Sequence, residues 1–244
     1  MAWAAVQDIT VTGVAFDKSQ LAFGDDVRLV EIDDRIAGQV LQGHMNLQQC
    51  LHPGWPRYPA SMGPEDMATF KEIAGLIKPH AIAVEIGSLC GGSARLLLDS
   101  TPSIKRLYCF DRDWADAGSP IMQARFCQDI LAAWNVHQYG TTYDFAKSLL
   151  KDYDNVRLLP MSSPYDVQSW WTESIDFLYE DSTHCNPQLR DNLDFWVPFV
   201  RSGGIIAGDD YLRYPDVQQE AVALAERLNA VLHTHLEMWW IIKP

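Results

Sequence analysis

The chain has few basic residues for its length, and this shortage excludes several classes of partner. Its 244 residues include 19 lysines and arginines against 32 aspartates and glutamates, which gives a net charge of −13. Such a charge opposes binding to a phosphate polymer or to an anionic membrane surface, and no cluster of lysine and arginine offsets it. We therefore expect neither a nucleic acid nor a membrane as a partner.

The sequence also lacks paired cysteines and long apolar runs. Its five cysteines are odd in number and contain no C-x-x-C pair, which favours reduced thiols over a disulfide framework or a zinc site. No basic segment followed by an apolar one opens the chain, and no apolar stretch is long enough to span a bilayer. These features predict a cytoplasmic protein. The cysteines are Cys50, Cys90, Cys109, Cys127 and Cys185.

Length and patterning predict one main domain. Hydrophobic residues make up 48% of the chain, enough for a single α/β core. Residues 1–60 show little regular pattern, and we expect an arm or cap that contacts substrate or another subunit. From residue 61 to 244, apolar runs alternate with amphipathic segments five times, and the runs 231–235 and 238–242 can pair as a hairpin. This alternation predicts a mainly parallel sheet with one antiparallel strand.

The most informative segment is an apolar run that ends in a glycine-rich loop. Ile82 to Ile86 has the composition of a buried parallel strand, and residues 87–92 space their glycines as G-x-x-x-G-G. A dinucleotide cradle needs G-x-G-x-x-G, and Glu85 would repel a phosphate. An acid at this position suits a ligand that carries an ammonium or hydroxyl groups. A purely structural strand-to-helix loop is the alternative.

A second apolar run, residues 107–110, ends on Asp111. A carboxylate at the tip of a strand can accept hydrogen bonds from two ribose hydroxyls. A solvated loop charge or the cap of a following turn is the alternative. Further along, Ser119-Pro120 predicts the start of a helix, and Ser163-Pro164 predicts the start of a short helix that carries Trp170 and Trp171.

These segments resemble the class I S-adenosylmethionine-dependent methyltransferases, and among them the metal-dependent O-methyltransferases of small molecules. That group includes the catechol, macrolide-sugar and cephalosporin-pathway enzymes. The resemblance covers about residues 60–244. It is carried by V-E-I-G-S-L-C-G-G-S at 84–93, C-F-D at 109–111, L-Y-E-D-S-T-H at 178–184, G-G-I-I-A-G-D-D-Y at 203–211 and W-I-I-K-P at 240–244.

The resemblance implies a Rossmann-like fold of seven strands in the order 3-2-1-4-5-7-6, with the last strand antiparallel and helices on both faces. It also implies a site for S-adenosylmethionine. Its methionine end would contact Glu85, Gly87, Gly91 and Ser93, its ribose Asp111, and its adenine Ser163.

Three carboxylates follow the fourth and fifth strands. Asp181 follows the fourth, Asp209 and Asp210 follow the fifth, and neighbouring parallel strands would bring all three to one edge of the cofactor cleft. A few carboxylates with waters suit Mg²⁺ or another divalent cation, and without one the three charges would repel one another. Alternatively, Asp181 caps a turn and the Asp-Asp pair is solvated.

His184 is the candidate general base. It lies three residues after Asp181, where the resembling enzymes carry a lysine or a histidine. A neutral imidazole can accept the proton of a hydroxyl made more acidic by a dication. A histidine that only caps the helix at Asn186 is the alternative. Ser182-Thr183 departs from the glycine and acid of many relatives.

The predicted function is therefore O-methylation of a hydroxyl on a small molecule, such as a phenol, a sugar or a natural-product intermediate, by a protein that forms homo-oligomers if the arm serves as a subunit contact. The alternatives are a metal-independent methyltransferase acting on oxygen or nitrogen, a non-catalytic cofactor-binding module, and a nicotinamide-dependent oxidoreductase, which the glycine spacing disfavours. Five aromatic residues are candidates for a wall around the acceptor: Trp55, Tyr58, Trp114, Trp170 and Tyr211.

Overall fold

The fold comes from a computed structural model, which describes residues 58–59, 62–115, 131–132 and 134–244. Most of the predicted arm, residues 1–60, and the predicted helix start at Ser119-Pro120 lie outside this set. Within these ranges no helix has the length and apolar character needed to cross a bilayer.

The first half of the domain alternates helix and strand as predicted. Pro64 occupies the first turn of its helix, with Glu65 and Asp66 beside it at the positive end of the helix dipole. Met67 and Phe70 face the core from the same helix. The elements are α1 (Pro64–Gly75), β1 (Ile82–Ile86), α2 (Gly92–Ser100) and β2 (Arg106–Phe110).

The second half continues the alternation and ends in a hairpin. Its elements are α3 (Thr142–Leu149), β3 (Val156–Leu159), β4 (Ile175–Glu180), α4 (Gln188–Trp196), β5 (Val200–Gly208), α5 (Pro215–Leu228), β6 (Leu232–His235) and β7 (Met238–Ile242). Short 3₁₀ turns cover Arg112–Trp114, Val136–Tyr139 and Val197–Phe199.

The sheet has seven strands in the order β3-β2-β1-β4-β5-β7-β6. All neighbouring strands from β3 to β5 pair in parallel, and β7 pairs antiparallel with both β5 and β6. The predicted order, the antiparallel last strand and the Rossmann-like fold are confirmed. From β1 the strand order runs to β2 and β3 on one side and to β4 and β5 on the other. The order therefore switches between β1 and β4, and ligands bind at such a switch point in open α/β sheets.

Two apolar layers cover the sheet because alternate residues of each strand face opposite sides. One layer contains Ala83, Leu107 and Phe177 and packs under α1, α2 and α3. The other contains Val84 and Leu178 and packs under α4 and α5. Helices therefore cover both faces, as expected.

The short helix predicted after Ser163-Pro164 is wrong, because residues 163–170 form successive turns. Backbone N–H groups here donate to Pro164 and Val167 without continuing into a regular ladder. Val167 and Trp171 are the large apolar side chains buried here, after the buried Ser163 and Pro164, while Trp170 is exposed. Two anchors on so short a segment leave too little buried apolar surface to sustain a helix.

Candidate functional site

A cavity of about 110 Å³ opens at the carboxyl ends of the central strands. It lies where strand addition reverses, between the loops after β1 and β2 and those after β3 and β4. Three of its apolar lining residues, Ile86, Phe110 and Met161, belong to the layer under α4 and α5, and most of the other lining residues are polar. Its lining residues are Ile86, Gly87, Phe110, Asp111, Arg112, Met161, Ser163, Ser182, Thr183, His184, Cys185 and Gln188.

Gly87 brings the loop after β1 against the loop after β4. Its φ is +87°, and a Cβ placed on it would lie 2.2 Å from the backbone oxygen of Asp181. A side chain at this position would strain the backbone and collide with the neighbouring loop. The glycine predicted at the cofactor loop is therefore required by a close approach of two chain segments.

Asp111 lines the cavity and anchors the loops beside it. Its Oδ2 accepts a hydrogen bond from the Leu89 N–H (2.6 Å), and its Oδ1 accepts one from the Asp113 N–H (2.8 Å). Burial raises the pKa of this carboxyl to about 6, against which the Leu89 N–H bond acts. Each oxygen keeps a lone pair, so the carboxylate can still accept from a ligand hydroxyl.

Glu85 and Ser93 lie below the cavity rather than along it. The Ser93 hydroxyl and the Ser88 hydroxyl (2.7 Å) both donate to the Glu85 carboxylate, which is 1% exposed. Burial raises the pKa of Glu85 to about 7, although the two serine bonds act in the opposite direction. Gly91 starts α2 in the left-handed region. None of Glu85, Gly91 and Ser93 is among the residues that line the cavity.

Ser163 lies at the cavity wall, and its hydroxyl already has two partners. It donates to Asn192 Oδ1 (2.8 Å) and accepts from the Trp196 Nε1–H (2.8 Å). Ser163 is 4% exposed, and Asn192 and Trp196 are both fully buried on α4. Neither α4 residue was predicted, because a polar side chain within an amphipathic helix carries no signal of what it contacts.

Asp181, His184 and Asp210 converge at the rim of the cavity. One ligand atom from each lies within 4.8 Å of the others. His184 Nε2 lies 2.5 Å from Asp210 Oδ2 and 3.9 Å from Asp181 Oδ1. The parallel pairing of β4 with β5 produces this cluster, since both aspartates follow the carboxyl ends of those strands.

Asp209 was predicted to join this cluster, but it is outside the group of three. Its Oδ1 accepts a hydrogen bond from the Asp210 N–H (2.9 Å). Burial, with the charges of Asp210 and Asp181, raises the pKa of Asp209 well above its ordinary value. The hydroxyl of Tyr179, which precedes Asp181 by two residues, is buried and has no hydrogen-bond partner in the part of the chain that the structure describes.

Arg213 is a part of the site that the sequence analysis missed. Its Nη1 lies 3.1 Å from Asp210 Oδ1, and its Nε lies 3.6 Å from Glu237 Oε1. The two oxygens of Asp210 therefore face different side chains, Arg213 on one side and His184 on the other. The spacing Asp210–Arg213 (i, i+3) was the available signal, but only the turn before α5 brings the two side chains together.

The electrostatics of the cluster follow from these contacts. Burial alone would lower the pKa of His184, but Asp210 and Asp181 raise it well above its ordinary value. Burial raises the pKa of Asp181 to about 6 despite its contact with His184. Tyr214 stacks on the His184 ring with centroids 4.2 Å apart and fixes its plane.

The donor set of this cluster fits a divalent cation. Two carboxylates and one imidazole within 4.8 Å can contribute ligands on one side of an ion. Carboxylate oxygens suit Mg²⁺, Ca²⁺ and Mn²⁺, and an imidazole ligand would shift the preference towards Mn²⁺ or other transition metals. The Asp181 and Asp210 side chains are 16% and 9% exposed, so an ion there would be partly shielded from water.

The aromatic candidates that the structure describes do not form a single wall. Trp55 lies outside the described residues. The Tyr58 hydroxyl donates to Asp99 Oδ2 (2.8 Å) and holds the chain against α2, on the face opposite to Tyr211. Trp170 is exposed, whereas the Trp114 indole N–H donates to the Leu89 oxygen (2.6 Å) at the cofactor loop.

Comparison with known proteins decides the family. Residues 84–211 match the family described as "Methyltransferase domain". The chain belongs to this methyltransferase family. It is an S-adenosylmethionine-dependent methyltransferase, as predicted, and the alternative of an oxidoreductase is wrong. No curated protein matches its sequence.

Solved structures share the fold of this methyltransferase at low sequence identity. A methyltransferase from Geobacter sulfurreducens has a TM-score of 0.55 at 15% identity over 88% of this chain and 98% of that one. The O-methyltransferase NovP has a TM-score of 0.53 at 16% identity over 75% and 81%. A precorrin-6y C5,15-methyltransferase from Geobacter metallireducens has 0.50 at 13% over 75% and 90%. Identities this low show the fold alone.

Proposed function

We propose that this methyltransferase transfers the methyl group of S-adenosylmethionine to a hydroxyl of a small molecule with the help of a divalent cation. The convergence of Asp181, His184 and Asp210 beside the cavity carries this proposal. NovP, which shares the fold, is named as an O-methyltransferase. The cavity would hold the cofactor, with Asp111 accepting hydrogen bonds from the ribose.

The residues of the chain would act on the acceptor proton. A cation held by Asp181 and Asp210 would lower the pKa of an acceptor hydroxyl beside it. Positive charge at these carboxylates would also offset the attraction that raises the pKa of His184, which leaves a neutral imidazole able to take that proton. S-adenosylmethionine would supply the methyl group, and S-adenosylhomocysteine would leave as the acceptor oxygen takes the methyl carbon from the sulfonium. Asp111 and the loops after β1 and β4 would align the reacting atoms.

The test combines chelation with substitution. We expect EDTA to abolish formation of S-adenosylhomocysteine from S-adenosylmethionine when phenols and sugars of a library are offered as acceptors, and added Mg²⁺ or Mn²⁺ to restore it. Asp181→Asn and Asp210→Asn should each lower kcat by about 100-fold or more, since each removes a charged ligand. Asp194→Asn is the matched control, because that side chain is 49% exposed on the surface of α4. Full turnover after chelation contradicts the metal role.

One observation favours a second candidate, a methyltransferase that works without a metal. Arg213 and His184 already face the two oxygens of Asp210, so that carboxylate is compensated by side chains alone. In this case His184 deprotonates the acceptor with no cation, and it does so only in its neutral form, which the raised pKa of its imidazole confines to a pH above the ordinary range of histidine. Chelator-resistant turnover that is lost in His184→Ala would support the second candidate over the first.

A further inference from the structure

A chain of buried and half-buried polar side chains runs along the cavity wall from α4 to the end of β4. The Trp196 Nε1–H donates to Ser163 Oγ (2.8 Å), which donates to Asn192 Oδ1 (2.8 Å). Asn192 Nδ2 donates to Ser182 Oγ (3.1 Å) and, at 3.4 Å, to Glu180 Oε1. The Ser182 hydroxyl donates to Glu180 Oε1 (2.6 Å). The five residues connect the two loops that carry Ser163 and Ser182.

The directions of the bonds in this network follow from the indole donor at one end and the carboxylate acceptor at the other. An indole N–H can only donate, so Ser163 accepts from Trp196 and gives its one hydrogen to Asn192. The Asn192 oxygen is then occupied as an acceptor, and its amino group points to Ser182. Ser182 in turn gives its hydrogen to Glu180, whose carboxylate accepts.

Both serines line the cavity, and neither has a hydrogen left for a ligand there. Towards the cavity, each hydroxyl can therefore only accept a hydrogen bond. Asn192 determines this polarity, because it takes the hydrogen of Ser163 and occupies a lone pair of Ser182. Its own side chain is fully buried and does not line the cavity.

Asn192 also stabilises the fold, since it supplies partners to buried polar groups. Its neighbours on the buried face of α4 are Leu189, Leu193 and Trp196. An apolar residue in its place would leave the Ser163 hydrogen without this acceptor and would remove one donor from the buried Glu180 carboxylate, whose Oε2 has no hydrogen-bond partner among the described residues. A test of its role at the cavity therefore needs a readout other than stability.

We propose that Asn192 is a positioning residue that makes the cavity select a cofactor with hydrogen-bond donors, namely the amino group of its adenine. This inference rests on the proposed placement of S-adenosylmethionine in the cavity, with its adenine beside Ser163 as the resemblance implies. A base that presents a carbonyl oxygen in place of the amino group would face an acceptor with another acceptor. The cavity would then reject the hypoxanthine analogue of the cofactor.

The test measures two dissociation constants by calorimetry on the full chain. The ligands are S-adenosylhomocysteine and its deaminated analogue, S-inosylhomocysteine. We expect the wild type to favour the adenine ligand by about tenfold or more, the scale of one mispaired hydrogen bond. In Asn192→Ala, Ser163 regains a free hydrogen, and the preference should fall about fivefold. Leu193→Ala, a truncation of the same helix outside the network, should keep the wild-type ratio.

The outcomes separate the inference from the function on which it rests. If the wild type binds neither ligand, the placement of the cofactor in the cavity is wrong. If it binds both equally, or if Asn192→Ala keeps the wild-type ratio, the role of Asn192 is wrong. If Asn192→Ala does not fold, Ser163→Ala decides, because removal of the reading hydroxyl should lower the same ratio, and an unchanged ratio there overturns the inference.

Discussion

Glu85 shows how a single buried carboxyl can couple stability to pH. It is enclosed by Ser88 and Ser93, and burial raises its pKa from about 4.5 in the unfolded chain to about 7. Between these two values the unfolded chain releases the proton while the folded protein keeps it. The folded state therefore loses stability as the pH rises from 4.5 to 7, and the loss is complete above that range.

Glu85→Gln should remove this dependence. The amide oxygen can accept a bond from one serine and the amide NH2 can donate to the other, and the side chain does not titrate. The variant should therefore gain stability relative to the wild type as the pH rises. The expected gain is about 3 kcal/mol between pH 4.5 and pH 8. Thermal unfolding of both proteins at intervals across this range measures it. Parallel curves for the two proteins would show that Glu85 has an ordinary pKa.

The loop after β1 is held by its close approach to the loop after β4. Gly87 adopts a positive φ there, and a Cβ would lie 2.2 Å from the Asp181 oxygen. The same contact places Asp181 and the wall of the cavity side by side. Backbone geometry at one glycine thus sets the distance between the proposed cofactor site and the carboxylate cluster.

Gly87→Ala should destabilise the protein by about 3 kcal/mol or more, because it combines left-handed strain with a collision against backbone. Gly75→Ala is the matched control. It lies at the exposed end of α1 with nothing within 4 Å of its Cβ, and alanine there should stabilise by about 0.5–1 kcal/mol. Chemical denaturation of both variants provides the comparison, and equal effects would contradict the close approach.

The elements themselves were predictable where local pattern and sheet geometry agree. Short apolar runs that end on an acid predicted β1 and β2, and parallel pairing of β4 with β5 predicted that Asp181 and Asp210 would meet. Arg213 and Asn192 were not predicted. One reaches Asp210 only through the turn before α5, and the other lies within a helix whose partners belong to distant loops.

The side-chain arrangement of the site was not predictable for the same reason. The contacts of Glu85 and Ser93 with the cofactor stay a prediction, and the sequence does not show that Ser88 and Ser93 donate to the Glu85 carboxylate. It placed Asp209 with Asp181 and Asp210, but adjacent residues after a strand point in different directions. Contacts of this kind depend on side-chain orientation in the folded protein rather than on spacing along the chain.

Cofactor binding should stabilise the folded protein as one unit. Binding of S-adenosylhomocysteine at 100 times its dissociation constant adds about 2.7 kcal/mol, or a rise in Tm of about 5–10 °C for a chain of this size. Asp111→Asn should lose most of this rise, because it removes the carboxylate proposed to bind the ribose. Asp194→Asn should keep it. An equal rise in all three proteins would place the ligand elsewhere.

The cavity draws its walls from stretches as far apart in the chain as Ile86 and Gln188. A fragment that lacks any one of these strands would lose a wall of the pocket, since the walls lie at the ends of different strands. Loosening any one strand opens the pocket to water and releases whatever it holds. Retention of the bound molecule therefore depends on the cooperativity of the sheet. A protease that cleaves the folded protein between these stretches and releases one wall would empty the pocket in a single step.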